Sequence, residues 1–328
     1  MLAPVVRETV RWFARALAMP NTTPPVTTPE RLRSYRREIE DAVPPGIDFA
    51  PLMVFKVIPE LAPEDVAALR DAGAIGGKLY PQGVTTNSAD GVSDIHALYP
   101  VFEAMEEADL VLEIHAEEPG AFSLDRERVF LPRIERIAAR FPRLRIVIEH
   151  ISSAEAVTAL DSLPATVAAT VTVHHLLLTL DDVVGDELRP HHFCKPIAKR
   201  PSDREALCAA VLSGRKRVFF GSDSAPHRRG DKESDCGCAG VYTAPVAVPL
   251  LAEFFDRAGL PLTERGAHPE GTPSLEAFVS RYGADFYRLP RNERTITLVE
   301  SETVIPGEYD GVVPFRAGTT LRYDVMEE

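Results

Sequence analysis

Six positions place a group that can bind a metal, move a proton or hold a ligand at or just behind a short run of β-branched and aliphatic residues. They are Asn21 behind Ala16–Met19, Lys78 within Ile75–Tyr80, His115 closing Leu110–His115, His150 closing Arg145–His150, His175 behind Ala165–Val173, and Asp223 behind Arg217–Ser222. Imidazole nitrogens and carboxylates are ligands for zinc, and a carboxylate beside a metal can also accept a proton. His115 and His150 end two consecutive runs, Val111-Leu112-Glu113-Ile114-His115 and Val147-Ile148-Glu149-His150. Adjacent parallel strands lie about 4.8 Å apart, so imidazoles at their ends can converge on one ion. Each residue also has a plainer reading. A strand-end histidine can be a hydrogen-bonded core residue, and Asp223 can cap a short helix. Lys78, preceded by Gly76 and Gly77, can pack its stem and leave its ammonium in water. His174 precedes His175, and either could be the inward one.

For these groups to meet, their strands must end on one rim. The runs above, with Leu52–Val57, alternate with amphipathic stretches over Thr28–Ala42, Ala62–Ala72, Ser93–Ala108, Asp125–Phe141, Ser153–Leu160 and Ser202–Leu212. A βαβα order without hairpin signals implies a parallel sheet, and in barrels of this kind the reactive groups lie at the carboxyl ends of the strands. Seven strands are visible, one short of a closed barrel. The chain opens on a helical pattern, Val6, Val10, Phe13 and Leu17, before its first strand. The expected fold is therefore α/β, a TIM-like (β/α)8 barrel without its leading strand. Further helices are expected over Ala247–Ala258 and Leu275–Tyr282, then a tail of short β segments over Thr295–Val325. The expected organisation is a single domain over 1–328, with barrel and helices over 1–290 and a C-terminal extension over 291–328 packed on them.

Composition narrows the function classes. Of 328 residues, 45% are hydrophobic and 26% charged, the profile of a soluble globular protein. A net charge of −13 would repel a phosphate backbone or an anionic membrane, so neither nucleic acid nor membrane is expected as a partner. Four cysteines are too few and too scattered for a disulfide scaffold, which points to a reducing cytoplasm. Cys236-Gly237-Cys238 is at best half a zinc site and is better read as a loop whose amides approach a ligand. His96, His191, His192 and His268 read as surface or packing residues. Arg7, Arg11 and Arg15 suggest a targeting helix, but Glu8 and the lack of serine before Pro20 argue against one.

The strings around these residues resemble the homodimeric bacterial dihydroorotases of the amidohydrolase superfamily. They are Met19-Pro20-Asn21 through Pro24-Pro25-Val26-Thr27-Thr28, Lys78-Leu79-Tyr80-Pro81 with Thr85-Thr86-Asn87-Ser88, His115, and Glu149-His150-Ile151. Arg189-Pro190-His191 through Cys194-Lys195-Pro196, Gly221-Ser222-Asp223-Ser224-Ala225-Pro226-His227, Lys232-Glu233-Ser234 and Cys236-Gly237-Cys238-Ala239-Gly240 follow in family order. The resemblance implies reversible zinc-dependent hydrolysis of the cyclic amide of dihydroorotate to N-carbamoyl-L-aspartate, a step of pyrimidine synthesis. It implies two zinc ions bridged by a carboxylated Lys78, one held by His115 and His150, the other completed by Asp223, which is also the catalytic proton acceptor. Asn21, His115, Lys195, His227 and Ala239 match positions that hold the substrate. Thr85 and Thr86 match a mobile loop that closes over it. A cytoplasmic homodimer acting on a small molecule is the corresponding expectation.

One departure stands out. The family carries a His-X-His pair and a following arginine on its first strand, whereas no histidine precedes His96 here. Either the start is assigned downstream of that motif or the chain is shortened, in which case one metal site is impaired. Two other readings follow: an inactive barrel kept as a structural partner, for instance of aspartate transcarbamoylase, or a related cyclic amidase acting on hydantoins or allantoin. The Thr85-Thr86 loop and the His227 region favour dihydroorotate.

Overall fold

The structure, a computed structural model, describes residues 1–85, 87–88, 90–266, 268–269 and 271–326. The aliphatic runs become seven strands hydrogen-bonded in sequence order: β1 Arg15–Ala18, β2 Ala50–Val57, β3 Ala74–Leu79, β4 Val111–Ile114, β5 Ile146–Ile148, β6 Val167–Val171 and β7 Val218–Phe220. The pairs from β1·β2 to β5·β6 are parallel. Every residue of β4, β5 and β6 is buried, which explains why these strands read as continuous apolar runs and not as alternating ones. Helices fill most of the crossovers, among them Pro29–Glu40, Pro63–Asp71, Tyr99–Glu107, Arg126–Arg140 and Pro201–Leu212.

Two compact units divide the chain, Met1–Ile151 with Thr158–Ala169, and Ser152–Val157 with Thr170–Glu328. In the first unit, Gly76 and Gly77 let β3 press between its neighbours. A Cβ at Gly76 would stand 2.6 Å from the Val111 carbonyl oxygen, and one at Gly77 2.6 Å from the Phe55 ring. Lys78 follows directly and is drawn into the interior.

The second unit holds the end of β6, β7, the helix Ala247–Arg257 and an antiparallel hairpin of β8 Leu298–Val304 and β9 Thr320–Val325. The hairpin is fastened to that helix: the Arg322 backbone N–H donates to Glu253 Oε1 at 2.8 Å, and its guanidinium reaches Asp256 at 3.0 Å.

Two boundaries differ from the sequence expectation. The run Ala165–Val173 does not stay extended to its end. β6 stops at Val171, and Val173–Leu177 forms a helical turn capped by Thr172, whose Oγ1 accepts the His175 N–H at 3.1 Å. A side-chain cap outweighs the β propensity of a valine there. The segment expected as Leu275–Tyr282 is a wide π turn over Ala277–Arg281 continued by the helix Tyr282–Tyr287. Among the described residues, no helix is long and apolar enough to cross a membrane.

Candidate active site

In the first unit, parallel hydrogen bonding runs past the strand ends and sets the side chains there. The His115 N–H donates to the Leu79 carbonyl at 3.0 Å, and the Glu149 N–H donates to the Ile114 carbonyl at 3.0 Å. These bonds bring His115 and His150 together: Nδ1 of His115 lies 3.2 Å from Nε2 of His150, with the rings edge to face. Both histidines are buried, as is Lys78, whose Nζ lies 5.7 Å from the centroid of the Tyr80 ring. His150 takes a φ of 43°, in the left-handed region that L side chains rarely adopt. The other ring nitrogen of His115, Nε2, lies 2.8 Å from Oε2 of Glu117, which is 2% exposed. A carboxylate can only accept, so His115 carries its proton on Nε2 and turns the Nδ1 lone pair toward His150.

The loop that follows β3 is tied down from below by Lys56, 1% exposed. Its ammonium donates to the Asn87 carbonyl at 2.8 Å and pairs with Asp90 at 2.5 Å. Asn87 Nδ2 in turn donates to the Asn21 carbonyl at 2.9 Å. The Thr85 N–H donates to Ser88 Oγ at 3.0 Å. Asn21 and Thr85 are thus held on one fastened loop system. Thr86 lies outside the described residues.

In the second unit, Asp223 follows β7 with a φ of 38°. β7 lies tight on β6: the Gly221 N–H donates to the Val171 carbonyl, and a Cβ at Gly221 would stand 2.7 Å from Thr170 Cβ. His227 Nε2 donates to the Ala239 carbonyl at 3.0 Å, and burial keeps its imidazole below the usual pKa. Lys232, 3% exposed, sends its ammonium to the carbonyls of Phe193 at 2.9 Å and of Cys238 and Gly240 at 2.7 Å. Burial draws Lys232 down to about 8. The Gly240 N–H donates to the Phe193 carbonyl at 2.9 Å. Gly240 is required here, since a Cβ would stand 2.5 Å from the Ala225 carbonyl oxygen. One buried ammonium therefore fastens the two backbone segments that carry Lys195 and Ala239.

A family model described as Amidohydrolase matches residues 24–237. A dihydroorotase of an Azoarcus species is 46% identical over 329 residues, covering 98% of this chain and 92% of its own length. A dihydroorotase of Nitrosococcus oceani is 42% identical and covers 100% of this chain and 94% of its own. The chain belongs to the dihydroorotase family of amidohydrolases. A solved dihydroorotase from Saccharomyces cerevisiae, in complex with 5-fluoroorotic acid, superposes with a TM-score of 0.88 at 36% identity, covering 99% of this chain and 92% of that one. The seven parallel strands are accordingly those of the TIM-like α/β fold of dihydroorotases.

The family is metal-dependent, and the donors of the first unit suit a metal. Two imidazole nitrogens bound tetrahedrally to one zinc at 2.0–2.1 Å stand about 3.3 Å apart, close to the 3.2 Å between His115 and His150. The proton on the far nitrogen of His115 goes to Glu117, the carboxylate partner that zinc-binding histidines commonly have. Sequence reasoning missed Glu117, whose place two residues after His115 does not by itself say which way its side chain turns. It also missed the roles of Lys56 and Lys232, which sequence position alone does not distinguish from surface lysines.

Proposed function

We propose that this chain is a dihydroorotase, opening the ring amide of dihydroorotate to N-carbamoyl-L-aspartate and closing it in the biosynthetic direction. The observation that carries this reading is the buried His115–His150 pair with Glu117 behind it, in a chain of this family. Two zinc ions are the proposed cofactor, and a carboxylated Lys78 with His115, His150 and Asp223 would hold them. Bound zinc supplies Lewis acidity and lowers the pKa of water. Glu117 keeps His115 in the tautomer that presents Nδ1. Asp223 accepts the proton of the attacking water and hands it to the departing ring nitrogen. Asn21, His115, Lys195, His227 and Ala239 hold the substrate, under the loop of Thr85 and Thr86. Because His227 spends its Nε2 proton on the Ala239 carbonyl, it orients backbone as well as ligand. A homodimer in the cytoplasm is the proposed setting.

The test is carbamoyl aspartate cyclisation by the purified chain, with metal content measured by mass spectrometry and hydantoin opening as the comparison. His115→Asn and Lys78→Ala should each lower kcat by more than the about 10–100-fold typical of a residue that merely orients a ligand. Unchanged turnover in either variant, or opening of hydantoin but not of dihydroorotate, would overturn the assignment.

A further inference from the structure

The second unit contains another cluster of metal-ligating side chains, which the proposed reaction does not use. The turn Val173–Leu177 carries His174 and His175, and the segment after it brings up Cys194. One ligand atom from each lies within 4.8 Å of the other two. All three are buried, at 0%, 2% and 0% exposure respectively. His174 is the unusual member, because among the described residues neither of its ring nitrogens has a hydrogen-bond partner. An imidazole sealed from water with both nitrogens unsatisfied is costly unless something else takes its lone pair.

We propose that His174, His175 and Cys194 form a binding site for a soft divalent transition-metal ion of the zinc type, separate from the donors of the hydrolytic centre. Cys194 Sγ lies 3.8 Å from His175 Nε2. A tetrahedral ion with bonds of 2.0–2.1 Å to nitrogen and 2.3 Å to sulfur sets that edge at about 3.6 Å. The Pro196 carbonyl oxygen accepts from the same nitrogen at 2.9 Å and from the same sulfur at 3.2 Å, so it is at hand as a fourth donor once those protons leave. Closing the set requires the His174 ring to move toward the others, and among the described residues no hydrogen bond holds that ring back. The outer partner is also in place, since His175 Nδ1 lies 2.8 Å from Thr172 Oγ1. With an ion on Nε2, the ring proton moves to Nδ1 and is donated to that hydroxyl, as ligating histidines usually require.

The charges around the cluster pull both ways. Burial, then the nearby Asp223 carboxylate, push the Cys194 thiol up to about 12, so binding must release its proton to solvent. Asp223 also favours a cation. Lys232 and His192 oppose it, since both act electrostatically on His174. The resulting thiolate adds one more negative charge on the favourable side. A bound ion would pin the turn that follows β6 to the segment leading into Lys195.

Cobalt makes the test specific, because the hydrolytic centre proposed above contains no cysteine. Protein produced in cobalt-supplemented medium acquires the ion as it folds. A near-ultraviolet thiolate-to-cobalt charge-transfer band is expected in the parent chain, in Lys78→Ala and in the double variant Cys236→Ser/Cys238→Ser. It should vanish in Cys194→Ser and weaken in His174→Gln. The absence of the band in cobalt-containing parent protein overturns the proposal, as does a band that survives Cys194→Ser. Should Cys194→Ser fail to fold, undiminished intensity in folded His174→Gln overturns it equally. None of these outcomes depends on whether the chain turns over dihydroorotate.

Discussion

Glu117 sets the state of His115 without belonging to the proposed ligand set itself. Its carboxylate accepts the Nε2 proton at 2.8 Å, and that bond makes the lone pair on Nδ1 available and raises its basicity. Glu117→Gln keeps an acceptor but loses the charge, whereas Glu117→Ala loses both. Zinc affinity and kcat are expected to fall by about 10-fold in the first variant and nearer about 100-fold in the second. Calorimetric titration with zinc checks the ordering, and equal affinity in all three proteins would remove Glu117 from the account. Lys78, His115, His150 and Asp223 were legible as candidates because each stands near the end of, or just behind, an apolar run whose length marks a strand. Glu117 was not, because no periodicity fixes the direction of a side chain two residues beyond a strand end. Lys56 and Lys232 were hidden for a different reason. Each has an acceptor far along the chain, 31 residues away at Asn87 for Lys56 and 39 away at Phe193 for Lys232, and a buried ammonium needs such partners.

Lys56 shows how a rigid strand governs a loop. It rises from β2 and grips the segment after β3 at Asn87 and Asp90. The hydrogen bond from Lys56 keeps the Asp90 carboxyl below the usual carboxylate range. For an acid with a lowered folded pKa, the contribution is complete above the ordinary value of 3.8 and disappears as pH falls through the lower folded value. The anchor is therefore intact at pH 5. Asp90→Asn should raise KM by about two- to fivefold at pH 7, the effect of a partly exposed ion pair worth up to about 1 kcal/mol. It should raise it by the same factor at pH 5, and a ratio that collapses by pH 5 would contradict the anchor. The strands themselves were readable to within about two residues at most ends. At the end of β6 what escaped was the change of conformation, since Val173-His174-His175-Leu176 continues the apolar pattern and only the Thr172 cap reveals the turn. A cap made by one hydroxyl is a weak signal beside four residues of strand-like composition.

The net charge of −13 acts on a dicarboxylate substrate well before any contact is made. At 0.01 M salt the screening length is about 30 Å and the whole molecule repels such an anion; at 0.15 M it is about 8 Å. If repulsion by the whole molecule dominates the approach, kcat/KM for carbamoyl aspartate should rise between those ionic strengths. A fall would mean that a local cation such as Lys195 governs the approach instead. Charge and composition were fully readable at this scale. One boundary between the two compact units lies inside β6, between Ala169 and Thr170 of an unbroken apolar run, where composition gives no sign of it. His150 and Asp223, at φ values of 43° and 38°, each hold a main-chain conformation that costs on the order of 1–3 kcal/mol for a side-chain-bearing residue. Glycine at either place relaxes the main chain while removing a side chain that the proposed chemistry uses. Selection on folding alone thus erodes these two positions, so in descendants that no longer require the reaction they are where decay should register first.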